Sequence, residues 1–313
     1  MKIPKAGEPQ MKFIPPMEPV PRTEIFASED WLYQVKWDGI RMLAFLQPGQ
    51  VELFNRKQRR RTPWYPELTE AVTELDCTST VLDGEVIVLR EGRPDFFRVL
   101  KRELLSDPHR LPAILGRIPV QYMVFDLLSL EGRNLMEEPL TSRLEILAQL
   151  IPPSSSTLHL CDSFDDGPGL WEATRQQQLE GIVMKERKSP YHPGRKHPSW
   201  QKVKHFQTLT ATAVGVFTRD HQVQSILLGR KEEEGWTYIG RAGSGLSERE
   251  RNLLTEVLPS LKRESPVVVN PPSARLHTLW VEPVLRVEVR YLEWTPHGTL
   301  RSPTVIGFRL PAS

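Results

Sequence analysis

The apolar runs of this sequence are short, and two stretches of them are split by Asp-Gly steps, which points the chain toward sheet-rich folds. Tyr33-Gln34-Val35-Lys36 and residues 41–46 have strand length and flank Asp38-Gly39. An Asp-Gly pair between such runs reads as a tight turn joining strands. Residues 81–82 and 85–89 repeat the pattern around Asp83-Gly84, which reads as a second turn. Residues 120–128, 182–184 and 201–204 supply further strand candidates. Helical spacing occurs over 66–75 and 141–150, with Thr141 as an N-cap. Residues 1–25 are proline-rich and read as an extended lead-in.

After Lys204 the texture changes. Strands are predicted over 210–217, 225–229 and 236–239. Ser247 then caps a helix, with Glu250 three residues on as a capping box. Strands follow over 285–294 and 305–308, and the proline-rich stretch 266–272 reads as a loop. Strands, one helix, then strands suit a small barrel of the OB type. The fold class is therefore α+β, with a first domain over 1–205 and an OB-fold domain over 206–313. The sequence has no internal repeat.

Composition narrows the function classes. With 39% hydrophobic and 26% charged residues, the chain can bury an ordinary globular core. Two cysteines, Cys77 and Cys161, cannot build a disulfide framework or a four-cysteine zinc site, so a reduced compartment is expected. No apolar run approaches the roughly 20 residues that span a bilayer. Met1-Lys2-Ile3-Pro4-Lys5 leads into prolines rather than a signal core, so neither secretion nor membrane insertion is expected. The net charge is +2, but cations cluster at 56–61, 185–188 and 195–204, which suits contacts to phosphate.

Four short pieces can carry chemistry. Lys36-Trp37-Asp38-Gly39 puts a lysine at a strand end before a turn. A lysine amine attacks phosphorus only when deprotonated, so a nucleophile needs desolvation or neighbouring cations. Leu82-Asp83-Gly84-Glu85 places Glu85 where it could bind a ribose or a metal. In Glu180-Gly181-Ile182-Val183-Met184-Lys185, Glu180 could hold a divalent cation, which prefers oxygen ligands, and Lys185 could neutralise phosphate. In Trp200-Gln201-Lys202-Val203-Lys204, alternation puts Lys202 and Lys204 on one strand face, implying an anion between them. Each piece alone is more often a turn or a solvated strand.

Their order changes the weighing. K-x-D-G, D-G-E, E-G-I-V-x-K and K-x-K in succession resemble the covalent nucleotidyltransferases: DNA ligases, RNA ligases and capping enzymes. Over residues 31–309 the chain further resembles the ATP-dependent DNA ligases of bacterial end joining. Gly92-Arg93-Pro94-Asp95-Phe96 is similar to that family's hairpin after the third motif. Phe125-Asp126-Leu127-Leu128 resembles its adenine-stacking element, and Ser189-Pro190-Tyr191 with Gly194-Arg195 its fifth-motif region. Trp280-Val281-Glu282-Pro283 and Glu293-Trp294-Thr295, with Gly298-Thr299-Leu300-Arg301, resemble its OB domain.

The resemblance implies an adenylation domain of antiparallel sheets flanked by helices, followed by the OB barrel. It implies ATP with Mg²⁺ or Mn²⁺, and nicked duplex DNA as substrate. Lys36 would carry AMP. The backbone near Gln34 and Val35 would read adenine, and Phe125 would stack on it. Glu85 would bind ribose, while Arg41 and Arg56 would hold the ribose or the nick's 5′-phosphate. Lys202 and Lys204 would bind phosphates, Glu85 or Glu180 the metal, and Arg309 the pyrophosphate. A monomer in the bacterial cytoplasm or nucleoid, with Ku as a partner, is expected.

Two places depart from the family pattern. Asn55-Arg56-Lys57-Gln58 stands where Ser-Arg-Asn-Gly is usual, and the final motif ends Arg309-Leu310-Pro311 without trailing charges. Self-adenylation is therefore expected to be slow or assisted by other residues. The competing readings are an RNA ligase or capping enzyme, and a non-catalytic nucleic-acid-binding relic. Two cysteines cannot supply the zinc finger of a NAD-dependent ligase, and the sequence has no P-loop.

Overall fold

The computed structural model describes residues 13–272 and 278–309. The chain divides into two compact units, the first ending at His205 and the second beginning at Phe206.

In chain order the first unit has β1 (Glu18–Pro21), β2 (Trp31–Val35), β3 (Ile40–Gln47), β4 (Gln50–Asn55) and α1 (Pro66–Thr73). Then come β5 (Thr80–Ile87), the short hairpin β6 (Leu89–Arg90) and β7 (Arg93–Pro94), and α2 (Phe96–Glu103). These are followed by β8 (Gln121–Leu130), β9 (Arg133–Asn134), α3 (Leu140–Leu150) and β10 (Leu158–Leu160). The unit closes with α4 (Gly167–Gln176), β11 (Gly181–Glu186) and β12 (Lys196–Lys204).

Two sheets result. A six-stranded sheet runs β10-β8-β5-β3-β4, with β9 on β8, and a four-stranded sheet runs β1-β12-β11-β2. Pairing is antiparallel except for β10 with β8 and β1 with β12, which are parallel. Strand β3 is buried on both faces, which explains its unbroken apolar run. Met42, Ala44 and Leu46 face the main core, where Leu68, Val72 and Leu147 of α1 and α3 pack. Leu43 and Phe45 face the other way, joining Met17, Leu128, Tyr191 and Trp200. On the four-stranded sheet, Tyr33, Ile182, Met184 and Val203 pack with Leu170 and Trp171 of α4. That leaves the alternate face, with Gln34, Val183, Lys185 and Lys202, to line a cleft.

Three local expectations are corrected. Asp83-Gly84 is not a turn, since β5 runs straight through it. A Cβ on Gly84 would lie 2.5 Å from Tyr122 Cε2 and 2.7 Å from the Met123 carbonyl oxygen, so glycine is required by close packing. Glu85 therefore sits in mid-strand rather than at a strand start. Thr141 does not cap α3; Pro139 occupies the N-cap position without a side-chain cap bond. The Thr141 N–H instead donates to the Arg187 carbonyl at 3.1 Å. Of the lead-in, residues 18–21 form β1, because β12 offers them a parallel edge.

The second unit contains β13 (Gln207–Arg219), β14 (Gln222–Glu232), β15 (Gly235–Ala242), α5 (Glu248–Val257), β16 (Lys262–Arg263), β17 (Thr278–Val281), β18 (Arg286–Tyr291) and β19 (Thr304–Arg309). The path β15-β14-β13-β18-β19 returns on itself through a parallel bridge between Ser244 and Thr304. A five-strand closure with a helix after the third strand is the OB arrangement. Its interior holds Val216, Ile226, Leu228, Val281, Val287 and Val289. Ser247 and Glu250 make the predicted capping box at α5. Among the described residues no helix is long and apolar enough to cross a membrane.

Candidate active site

The site is built where β2, β11 and β12 end side by side. The Lys36 N–H donates to the Gly181 carbonyl at 2.9 Å, and the His205 N–H donates to the Glu180 carbonyl at 2.9 Å. Gly181 has a φ of +146°, and a Cβ there would lie 2.1 Å from the Val203 carbonyl oxygen. Only glycine lets the strands approach this closely, and the approach carries Glu180 between two lysines. Lys36 Nζ contacts one carboxylate oxygen of Glu180, and Lys204 Nζ lies 2.6 Å from the other. Burial pushes the Glu180 pKa up, but Lys36 and Lys204 outweigh it and hold the group below the usual carboxylate range.

Lys202 lies on the same strand face as Lys204 and lines the cleft. It makes no ion pair among the described residues. Desolvation, with Lys36 and Lys204 nearby, brings its pKa down to about 8. A half-buried cation held among cations favours an anion.

The six-stranded sheet supplies the facing wall. Arg41 on β3 forks onto Asp83, with Nε and Nη2 each 2.6 Å from a carboxylate oxygen. Its neighbour in register, Glu85, is half-buried. Desolvation pushes the Glu85 pKa up to about 8, against the pull of Lys36 and Arg41. The Phe125 ring on β8 has Arg41 Cζ at 4.6 Å and Lys185 Nζ at 4.5 Å, and meets Trp200 edge-on. Gln34 is buried, and its Nε2 donates to Ser163 Oγ at 3.0 Å. Val35 pairs with Ile182. Arg56 stands on an exposed turn and pairs with Glu18 at 2.8 Å. That turn holds the atypical 55–58 run: Asn55 Oδ1 accepts from Lys57 N at 3.0 Å and Arg59 N at 3.1 Å.

Gln34, Val35, Lys36, Arg41, Arg56, Glu85, Phe125 and Lys202 all line one cleft of about 660 Å³, within the usual size range of small-molecule sites. Glu180 joins it through Lys36, and Lys204 through Glu180. Arg309 belongs to the second unit, where it pairs with Glu288. Leu310 and Pro311, at the end of the final motif, lie outside the described residues.

Lys185 also lines the cleft, where its ammonium donates to the Phe125 carbonyl at 3.2 Å and packs on Trp200 at 4.0 Å. Sequence reasoning also missed Asp83 and Tyr191, which support Arg41, and Glu18, which lines the cleft. Lys185 shares a strand face with Val183, and aromatic residues at 125 and 200 were a legible hint of a cation–π site.

Among the described residues, no three His, Cys, Asp or Glu side chains converge as a metal cluster. Glu85 and Glu180 lie near enough for the charge of one to raise the pKa of the other, and both lie near Lys36. A hard cation that takes most of its ligands from phosphate and water, as Mg²⁺ does, would draw the proton from Glu85 and compete with Lys36 and Lys204 for the oxygens of Glu180.

Comparison with known proteins places the chain in a family. Residues 19–204 match the family model described as ATP dependent DNA ligase domain, and residues 219–310 match the ATP dependent DNA ligase C terminal region. The chain belongs to the ATP-dependent DNA ligases. Within them it is similar to the multifunctional non-homologous end joining protein LigD of Mycobacterium bovis, at 36% identity over 90% of this chain and 36% of that protein. It is 30% identical to DNA ligase C1 of Mycolicibacterium smegmatis, over 78% of this chain and 73% of that protein. The solved structure of a mycobacterial DNA ligase D complexed with ATP and MES shares 32% identity and a TM-score of 0.55, over 96% of each chain. The chain thus spans about a third of the length of its LigD relatives. It is similar to the solved ligase domain of Mycobacterium tuberculosis LigD, at 32% identity and a TM-score of 0.52 over 95% of each chain.

Proposed function

We propose that this ligase seals 5′-phosphate/3′-hydroxyl nicks in duplex DNA, using ATP, through AMP carried on Lys36. The observation that carries the reading is the triad of Lys36, Glu180 and Lys204 beside Lys202 and Glu85 in a nucleotide-sized cleft.

The chemistry follows from charge. Attack requires the Lys36 Nζ lone pair, so the ammonium proton must be lost first. The P–N bond to the α-phosphorus then forms as the bond to the β-phosphate oxygen breaks, and pyrophosphate leaves with the electron pair. A 5′-phosphate oxygen of the nick next attacks the same phosphorus and releases Lys36. Finally the 3′-hydroxyl attacks the activated phosphate, losing its proton, and AMP departs. Each step gathers negative charge around phosphorus, so fixed cations supply much of the rate.

Lys202 and Lys204 are assigned to the α-phosphate and pyrophosphate, and Glu85 to the ribose. Phe125 is assigned to the base, and the backbone at Gln34 and Val35 to the adenine edge. Arg41 and Arg56 face the ribose or the 5′-phosphate. Arg309 is assigned to the pyrophosphate. Glu85 and Glu180 would hold Mg²⁺ or Mn²⁺, whose charge would polarise the phosphate. The similarity to LigD supports a place in end joining or DNA repair, with Ku as a recruiting partner. Sealing of a nicked DNA duplex with ATP, scored beside the same nick in RNA, tests the proposal: sealed DNA is expected, and sealing confined to RNA would overturn it.

A further inference from the structure

Four groups from four separate chain segments close a ring of hydrogen bonds beside the cleft. The Met17 N–H donates to the Tyr191 hydroxyl at 2.9 Å. That hydroxyl donates to Asp83 Oδ2 at 2.7 Å. Asp83 accepts the Arg41 fork at 2.6 Å on each oxygen, and Arg41 Nη2 returns to the Met17 carbonyl at 3.0 Å. Asp83 and Met17 are fully buried, and Tyr191 is 1% exposed.

The ring joins parts that are remote in sequence and opposed in space. Arg41 and Asp83 lie on β3 and β5 of the six-stranded sheet. Tyr191 lies in the β11–β12 connection of the four-stranded sheet, and Met17 directly precedes β1, which pairs with β12. The two sheets that wall the cleft are therefore fastened at this point. A buried carboxylate that accepts three charge-assisted or hydroxyl hydrogen bonds has little freedom, and the guanidinium forked on it has less. Arg41 also lines the cleft, where its guanidinium meets the Phe125 ring. Burial, with Asp83 alongside, raises the Tyr191 pKa well above its ordinary value, so the hydroxyl stays a donor.

We propose that Tyr191 is a positioning residue whose hydroxyl, through Asp83, aims Arg41 at the nucleotide or the nick. It touches no substrate itself, and the inference rests on the ligase reading above. Nothing in the sequence motifs assigns Tyr191 this role; its position far from Arg41 along the chain hides the connection.

Tyr191→Phe isolates the hydroxyl, because the ring keeps its edge-on contact with Trp200 at 5.7 Å. Single-turnover sealing of nicked DNA by the pre-adenylated full chain is the readout, with melting temperature measured alongside. Y191F is expected to slow sealing by about tenfold or more at temperatures where it remains folded. In an Arg41→Ala background the same substitution should cause no further slowing, since its effect travels through Arg41. A generally loosened fold would instead slow both backgrounds by the same factor. Asp83→Asn, which weakens the fork and keeps the shape, should reproduce the Y191F defect and serves if Y191F does not fold. Full-rate sealing by Y191F, or an equal loss in both backgrounds, overturns the inference alone. Absence of any AMP adduct on the wild-type chain overturns the ligase reading, and this inference with it.

Discussion

Lys36 and Glu180 meet in a side-chain ion pair, and the Lys36 N–H donates to the carbonyl of Gly181, the residue after Glu180, at 2.9 Å. The main chain thus fixes where the amine and the carboxylate meet, before any nucleotide is present. Lys204 occupies the second oxygen of Glu180, so the carboxylate spaces two cations that would otherwise repel.

Glu180→Gln should therefore cost adduct formation heavily, by about a hundredfold or more. Transfer of label from α-labelled ATP to the chain, followed over time, measures it. Adduct formation at the wild-type rate would show that the carboxylate does not serve the amine.

A second prediction concerns pH. The Glu85 pKa is raised from 4.5 to about 8 by desolvation. The folded chain then holds a proton that the unfolded chain has lost between those values, so this group's contribution to stability falls as pH rises through that window. Glu85→Gln removes the loss. The melting temperature of E85Q relative to wild type, without nucleotide, should rise progressively from pH 5 to pH 8. A difference that stays constant over that range would contradict the assignment.

Gly84→Ala should destabilise the first unit by about 1–3 kcal/mol or more, as overpacking does. Its new methyl would meet the Tyr122 ring, whose hydroxyl is held on the Met42 carbonyl at 2.8 Å, and the Met123 carbonyl, which the sheet holds. Urea denaturation at fixed pH reads this directly; an unchanged midpoint would argue against close packing at β5.

Arg143 of α3 and Asp126, the residue after Phe125 on β8, form an ion pair with both side chains fully buried. Arg143→Met leaves the carboxylate buried without its partner, a loss of about 3–5 kcal/mol. Pairing it with Asp126→Leu should recover much of that loss, because an apolar pair needs no desolvated charge. The two denaturation curves decide the matter.

The parts of this site legible in the sequence are those whose placement depends on neighbours a few residues away. Lys202 and Lys204 share a face because a strand alternates, and Ser247 finds Glu250 because a helix turns. The structure brings Lys36, Glu85, Glu180, Lys202 and Lys204 to one place. Their order along the chain is what the family resemblance used. Asp83-Gly84 was misread because the local signal of a turn and of a close-packed strand is the same dipeptide. Only the Tyr122 ring, arriving from β8, distinguishes them. The aromatic partners of Lys185 were hidden for a similar reason, since Phe125 and Trp200 come to it from other strands. α2 and α4 went unread. Arg102 of α2 is fully buried against Glu67 and the Trp64 carbonyl, which blurs the polar face a surface helix should show.

The most direct test is to incubate the full chain with ATP and Mg²⁺, digest it and locate the added AMP by mass spectrometry. The account predicts one AMP, on the peptide containing Lys36, and none on the Lys36→Ala chain. AMP on any other residue, or an adduct that persists in Lys36→Ala, would contradict it.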